Sequence, residues 1–179
     1  PFFISWAKRM LTFPELIKNN KRRKKLTNNG ATISETAEIG IVNINGKKAI
    51  IYSDNICTAL QLTNLYQDTA IDLEKGRNFY AQDEMKMFEV TKKMLGLKEN
   101  NPNIKALVKH NIERTQALFD EGRNLLKYLN GRFKVEIKWT IAGGEKILEK
   151  IRKNDYDVFT KRPKLEKFDF ITMSHVLEH

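Results

Sequence analysis

From Ser53 onward the sequence predicts an all-α chain, preceded by a stretch that is irregular or partly β. Three observations carry this. Ile56, Cys57, Ala59, Leu60, Leu62, Leu65 and Tyr66 cover nearly every side of a 100° wheel, the mark of a buried helix. Pro102 follows Asn101, as at a helix N1 position, and Ile104, Leu107, Val108, Ile112, Leu118, Phe119, Leu125, Leu126 and Leu129 then recur on a helical face. Residues 28–50, NNGATISETAEIGIVNINGKKAI, are instead rich in Gly, Asn, Thr and Ile and read as turns and short strands.

A length of 179 residues suits one domain, and 41% hydrophobic residues suffice for a core. No apolar run is long enough to span a membrane, and PFFISWAKRM lacks the charged start and cleavage site of a signal peptide. The expected location is the cytoplasm. One cysteine, Cys57, excludes an intrachain disulfide, and with three scattered histidines it argues against structural zinc. The formal charge of +10 favours anionic partners. The densest run, Lys21 to Lys25 (KRRKK), reads as a solvated helix end or as peripheral contact with a membrane surface. No recognition pattern accompanies it, so nucleic acid is not expected.

The first element, residues 1–27, has helical spacing at Phe2, Trp6, Met10, Phe13 and Ile17, with Pro14 starting or kinking a helix. In the next, Ile33 and Ile39 lie six apart, which resembles the opening of a hexapeptide-repeat acyltransferase. The period fails at Asn45, and a solenoid needs about three repeats. A helix is then expected from about Asp54 to Leu73, with Ser53-Asp54 as its cap. The helix opening at Pro102 should run to about Leu129 and end at Asn130-Gly131. Residues 133–140 are open on periodicity: Phe133, Val135, Ile137, Trp139 and Ile141 alternate like a strand, while Ile141, Gly144, Ile147, Leu148 and Ile151 continue as a helix. The closing Leu177, Glu178 and His179 look like the start of a purification tag.

The chemistry concentrates in NLYQDTAIDLEKGR, residues 64–77. Gln61, Asn64, Asp68 and Asp72 form a narrow polar stripe on the otherwise apolar helix. Buried carboxylates are costly unless paired or metal-bound, so the stripe predicts a lined cavity. Aspartates at i and i+4 place their Cβ atoms about 5–6 Å apart. Such a pair can hold Mg²⁺ ions that keep waters and take phosphate oxygens, with Asn64 as a neutral oxygen ligand. Gly76 can end the helix, and Arg77 then offers a planar donor fork to phosphate. The pattern Asn-x₃-Asp-x₃-Asp-x₃-Gly-Arg therefore suits a magnesium–diphosphate site. The cavity beyond it should be apolar and dry, because departure of diphosphate leaves a carbocation.

ALQLTNLYQDTAIDLEKGRNFYAQDEM, Ala59 to Met85, resembles the second aspartate-rich motif of the squalene/phytoene synthase family, N-x-x-x-D-x-x-x-D-x-x-x-G-R-x-Y-x-P-Q-D-E. Asn64, Asp68, Asp72, Gly76, Arg77, Gln82, Asp83 and Glu84 match; Phe79 replaces the tyrosine and Ala81 the proline. AGGEKILEKIRKNDYDVFTKRP, Ala142 to Pro163, resembles the closing helix and the YDVF-x-x-R tail, and SDNICTALQLTN with GG-x-x-IL leans toward the bacterial hydroxysqualene synthase branch. The resemblance covers about 51–171. It implies an all-α isoprenoid-synthase bundle, present here in part, with residues 133–153 helical. It implies Mg²⁺ as cofactor and a prenyl diphosphate, presqualene or farnesyl diphosphate, as substrate, feeding squalene, hydroxysqualene and hopanoid formation. By position, Asp68 and Asp72 bind metal and are catalytic, Asn64 supports them, Arg77 contacts diphosphate beside Gln61, and Tyr66 or Phe79 faces the hydrocarbon.

Residues 1–50 do not share the resemblance and contain no aspartate, so the family's first aspartate-rich motif is missing from them. The expected organisation is an unmatched segment over 1–50, a synthase-like helical domain over 51–176 and the tag remnant. The expected activity is a transferase or hydrolase-type step on isoprenoid diphosphate, incomplete in this chain. The alternatives are an inactive basic helical binding module and an acyltransferase fragment. Apolar faces left uncovered would drive a homodimer or be covered by residues 1–50.

Overall fold

The computed structural model describes residues 46–166 and 168–169. The expectations for residues 1–45, including the basic run and the Ile33/Ile39 period, lie outside these, as do Leu177, Glu178 and His179. Helix takes up 74% of the interpretable residues and no strand occurs among them, so the described chain is all-α. The elements are α1 (Gly46–Gln67), α2 (Thr69–Glu74), α3 (Gln82–Met87), α4 (Lys92–Gly96), α5 (Pro102–Gly122), a 3-10 helix (Arg123–Tyr128) and α6 (Gly131–Lys153). None of these helices is long and apolar enough to cross a membrane.

The described residues divide into two compact units. One takes those up to Leu60 and Leu118–Ile141. Its buried side chains include Ala49, Ile56, Ala59, Phe119, Leu125, Leu129, Ile137 and Ile141. Gly122 lies so close to α1 that a Cβ there would fall 2.6 Å from Ile56 Cγ1 and 3.1 Å from the Tyr52 carbonyl oxygen. The Tyr52 and Tyr128 rings stack at 6.2 Å. The other unit takes Gln61–Ala117 and the described residues from Ala142 on. Its buried apolar side chains include Tyr66, Tyr80, Met85, Leu95, Ile104, Leu107, Ile112, Ile147, Leu148, Ile151 and Val158. In this unit α2 packs against α4.

Local chemistry explains several boundaries. Asn101 Oδ1 accepts from the Ile104 backbone N–H at 3.0 Å, which caps α5 ahead of Pro102 at its first position. Residues 133–140 are helical, as the family resemblance implied. Ile137 and Ile141, one turn apart, are buried, whereas Val135 is exposed, so the alternation of 133–141 carries no strand.

Three expected boundaries are corrected. The helix expected from Asp54 begins at Gly46, so Ser53-Asp54 is no cap; Ser53 is a fully buried mid-helix residue. Residues 46–50 therefore belong to α1 and not to a turn-and-strand segment. The same helix does not run unbroken to Leu73: it stops at Gln67, and α2 resumes at Thr69. The helix expected to reach Leu129 ends at Gly122 and tightens into the 3-10 helix.

Candidate functional site

Every contact of the aspartate motif described below lies in the second unit. Asp68 sits at the break between α1 and α2, yet the helical ladder continues through it. Its N–H donates to the Asn64 carbonyl at 3.0 Å, and the Asp72 N–H donates to the Asp68 carbonyl at 2.9 Å. Asn64, Asp68 and Asp72 thus keep their one-turn spacing across the break. After α2 the chain reverses at Gly76, which has φ +70°. The Gly76 N–H donates to Leu73 O at 3.0 Å and the Arg77 N–H to Asp72 O at 2.8 Å, the paired bonds of a Schellman ending. That turn throws Arg77 back over α2, where Nη2 meets Asp72 Oδ1 at 2.7 Å. The spacing Asp-x₃-Gly-Arg is therefore one device: a left-handed glycine that returns an arginine to the carboxylate one turn behind it.

Asp68 has its own guanidinium. Arg162 donates from Nε to Asp68 Oδ1, and Gln67 Nε2 donates to the carbonyl of the next residue, Pro163, at 2.6 Å. The two separated motifs, residues 64–77 and the YDVF-x-x-R tail, meet here. The turn before Arg162 is built by Asp157, whose Oδ1 accepts from the backbone of Phe159 (2.8 Å) and Thr160 (3.2 Å) while Oδ2 accepts from Thr160 Oγ1 (2.6 Å). Burial opposes the charge of Asp157, but these hydrogen bonds outweigh it and hold the carboxyl below its usual pKa.

The inner side of the motif is aromatic. Tyr66 is 2% exposed, and its ring stacks on Tyr80 with centroids 5.7 Å apart. Its hydroxyl donates to Asn111 Oδ1 at 2.7 Å. Burial raises the pKa of Tyr66, partly offset by Arg114, and burial raises that of Tyr80 further, so both hydroxyls keep their protons at neutral pH. A recess of about 200 Å³, counting its open mouth, is lined by Leu65, Tyr66, Asp72, Arg77, Phe79 and Tyr80 among others. Most of that volume is the open mouth, so the recess is a shallow foothold and not a whole prenyl cavity. Phe79 is 46% exposed at its edge.

The expected polar stripe is open and not enclosed: Gln61 is exposed, and Asn64, Asp68 and Asp72 are half-buried. The recess gathers Tyr66, Phe79, Asp72 and Arg77; Gln61, Asn64 and Asp68 are not among its lining residues. No group of three or more His, Cys, Asp or Glu side chains converges among the described residues as a metal cage would. Asp68 and Asp72 nevertheless suit Mg²⁺ in chemistry: hard oxygen donors one turn apart, with Asn64 a turn earlier. Such a partial set shares an ion with waters and phosphate oxygens instead of enclosing it.

A model of the family described as squalene/phytoene synthase matches residues 36–169. The chain belongs to this family. The match starts ahead of residue 51, where the resemblance was expected to begin. The chloroplastic phytoene synthase of Daucus carota is 30% identical over 104 residues, which are 58% of this chain and 26% of that protein. The squalene synthase HpnC from Alicyclobacillus acidocaldarius aligns with a TM-score of 0.60 at 32% identity, covering 62% of this chain and 42% of that one. A dehydrosqualene synthase in complex with ligand shares the fold, with a TM-score of 0.61 at 19% identity over 75% of this chain and 50% of that one. The chain spans half or less of the length of each of these proteins.

Sequence reasoning missed Arg162, Glu84 and Arg114. Arg162 closes the family tail motif and Glu84 closes the aspartate motif, so both carried a signal without a role. Arg114 carried none: nothing local marks an arginine on a mid-chain helix as the partner of a glutamate thirty residues earlier.

Proposed function

We propose that this chain supplies the diphosphate-holding part of a Mg²⁺-dependent prenyl transferase of the squalene/phytoene synthase type. The substrate class is a farnesyl-derived diphosphate, farnesyl or presqualene diphosphate, with the wording of SDNICTALQLTN and GG-x-x-IL favouring the hydroxysqualene side. One observation carries the reading. Asp68 and Asp72, one turn apart, each face a guanidinium that comes from a separate turn of the chain.

Carboxylates beside guanidinia are the two halves of a metal–diphosphate clamp. Asp68 and Asp72 would present oxygens to Mg²⁺, with Asn64 as a neutral donor. Arg77 and Arg162 would turn their N–H groups from the carboxylates to the phosphate oxygens. Bound Mg²⁺ supplies the positive charge that makes diphosphate a good leaving group. Phe79, beside Asp72 and Arg77 in the recess, would offer an aromatic face to the prenyl chain and keep water from its reacting end, while Tyr66, 2% exposed and stacked on Tyr80, forms part of the wall.

Thermal unfolding of the intact chain tests this. Mg²⁺ with a non-hydrolysable diphosphate analogue should raise the melting temperature more than either alone, because each brings the charge the other needs. The double variant Asp68→Asn/Asp72→Asn should lose that joint increment. An equal increment in wild type and double variant would remove the assignment.

A further inference from the structure

Behind the aspartates lies a polar network whose Arg114 reaches water, with 45% of its side chain exposed, and whose other members are buried. Glu84, in α3, is 8% exposed, and its Oε1 accepts from Nη1 of Arg114 in α5. Its Oε2 is buried with no hydrogen-bond partner among the described residues. A carboxylate hidden in this way is costly, so the fold must gain something by fixing it there. Arg114 directs Nη2 to Asn111 Oδ1 at 2.9 Å and to the Tyr66 hydroxyl oxygen at 3.3 Å. Asn111 itself is anchored, since its Nδ2 donates to the Leu107 carbonyl at 2.9 Å.

Tyr66 is the point where this network reaches the motif. It stands two residues after Asn64 and two before Asp68. Its carbonyl accepts from Thr69 Oγ1 at 3.0 Å, and that same Thr69 oxygen shares a hydrogen bond of 3.2 Å with the Tyr80 hydroxyl. Thr69 opens α2. The network therefore grips the helix break on both sides of Asp68. A shift of Tyr66 would carry Asp68 with it, because the two share one turn of backbone.

The geometry points to Glu84 and Arg114 as positioning residues for Asp68: acting through Tyr66, they set where the aspartate pair presents its oxygens to a metal–diphosphate ligand. This rests on the function proposed above. Neither residue touches the ligand. Glu84 holds the arginine in place, Arg114 holds the tyrosine hydroxyl, and the tyrosine ring locks against Tyr80.

Calorimetric titration of the intact chain with inorganic pyrophosphate in excess Mg²⁺ tests it, well below each variant's melting temperature. Glu84→Gln should weaken binding about tenfold, the usual cost of losing a partner that orients a metal ligand. Tyr66→Phe removes only the hydroxyl and should weaken it similarly; it decides the matter by itself where Glu84→Gln does not fold. Glu84→Asp, which keeps the charge, should recover part of the loss. Because the network acts through Asp68, Glu84→Gln should add little to Asp68→Asn, whose residual binding comes from Arg77, Arg162 and Asp72. Where that residual binding is too weak to titrate, the two single variants decide. Wild-type binding by Glu84→Gln and Tyr66→Phe, with only a lower melting temperature, would make the network structural and overturn the proposal. Full additivity with Asp68→Asn would overturn it as well. If Asp68→Asn alone binds as wild type, the function reading fails, and this proposal falls with it.

Discussion

The two sides of the turn at Asp68 are built differently. On one side Asp72 and Arg77, Asp68 and Arg162 form ion pairs that water reaches, the Arg77 side chain being 54% exposed. On the other side Tyr66, Thr69, Asn111 and Glu84 are nearly sealed, and only Arg114 among their partners reaches water. Exposed pairs contribute about 0–1 kcal/mol each, so a ligand can replace them at little cost. The sealed side has no such freedom, because each group there is tied to another element. A binding site needs both: contacts cheap enough to exchange, and a frame that stays put while they do.

The largest expected effect breaks the frame. Tyr66→Ala removes a buried, stacked and hydrogen-bonded ring and should cost about 3–5 kcal/mol of stability in urea unfolding. Asp72→Ala, on the open side, should cost under about 1 kcal/mol. Comparable losses in the two variants would mean that the open pairs belong to the frame, and the distinction would collapse.

What could be read from the sequence follows the same division. The spacing of Asn64, Asp68 and Asp72 was legible because helical periodicity is local, and Asn101-Pro102 was legible because a cap needs only its own three neighbours. Gly76 and Arg77 were legible as a pair for the same reason. The start of α1 was not. Residues 46–50 read as turns and short strands, yet the helix there carries buried Ala49 and continues through buried Ser53 and Ile56. The end of α5 at Gly122 reflects a close approach to Tyr52 and Ile56 that no local signal encodes. Arg162 on Asp68 and Arg114 on Glu84 span 94 and 30 residues, so only the fold reveals them. The links of the inner network were invisible for that reason, although Tyr66 and Glu84 stood out singly, whereas on the open face the spacing of Asp72, Gly76 and Arg77, neighbours in sequence, was legible.

A smaller effect sharpens the comparison at the turn that joins the motif to its arginine. Gly76 holds φ +70°, and a Cβ there would meet nothing within 4 Å, so only backbone strain opposes a side chain. Gly76→Ala should therefore cost about 1 kcal/mol of stability. It should also weaken pyrophosphate binding by displacing Arg77. Loss of stability with unchanged binding would separate the turn from the site and leave Arg77 a surface residue.

A comparable effect, one that fades in acid, concerns the turn that delivers the other arginine, and its signature is its pH dependence. Asp157 accepts three hydrogen bonds from Phe159 and Thr160, five residues and fewer ahead of Arg162. Burial works against its charge; the hydrogen bonds and the nearby Lys105 overcome that and lower its pKa from the ordinary 3.8. The folded state thus binds this proton more weakly than the unfolded chain does. The resulting stabilisation is complete above the unfolded value and is lost as pH falls through the lower, folded value. Asp157→Asn keeps one acceptor oxygen but has no charge to titrate. At neutral pH it should be less stable than wild type by about 1 kcal/mol, the net worth of a lost hydrogen bond. That gap should shrink as unfolding is measured at successively lower pH from about pH 5 downward. Lys105 also pairs with Asp155 at 2.5 Å, and Lys150 with Asp169 at 2.7 Å, so the wild type alone would mix several acid transitions. The difference between the two proteins isolates Asp157. A gap that stays constant into acid would show that oxygen geometry, and not carboxylate charge, holds the turn. Arg162 would then reach Asp68 by the same route at any pH.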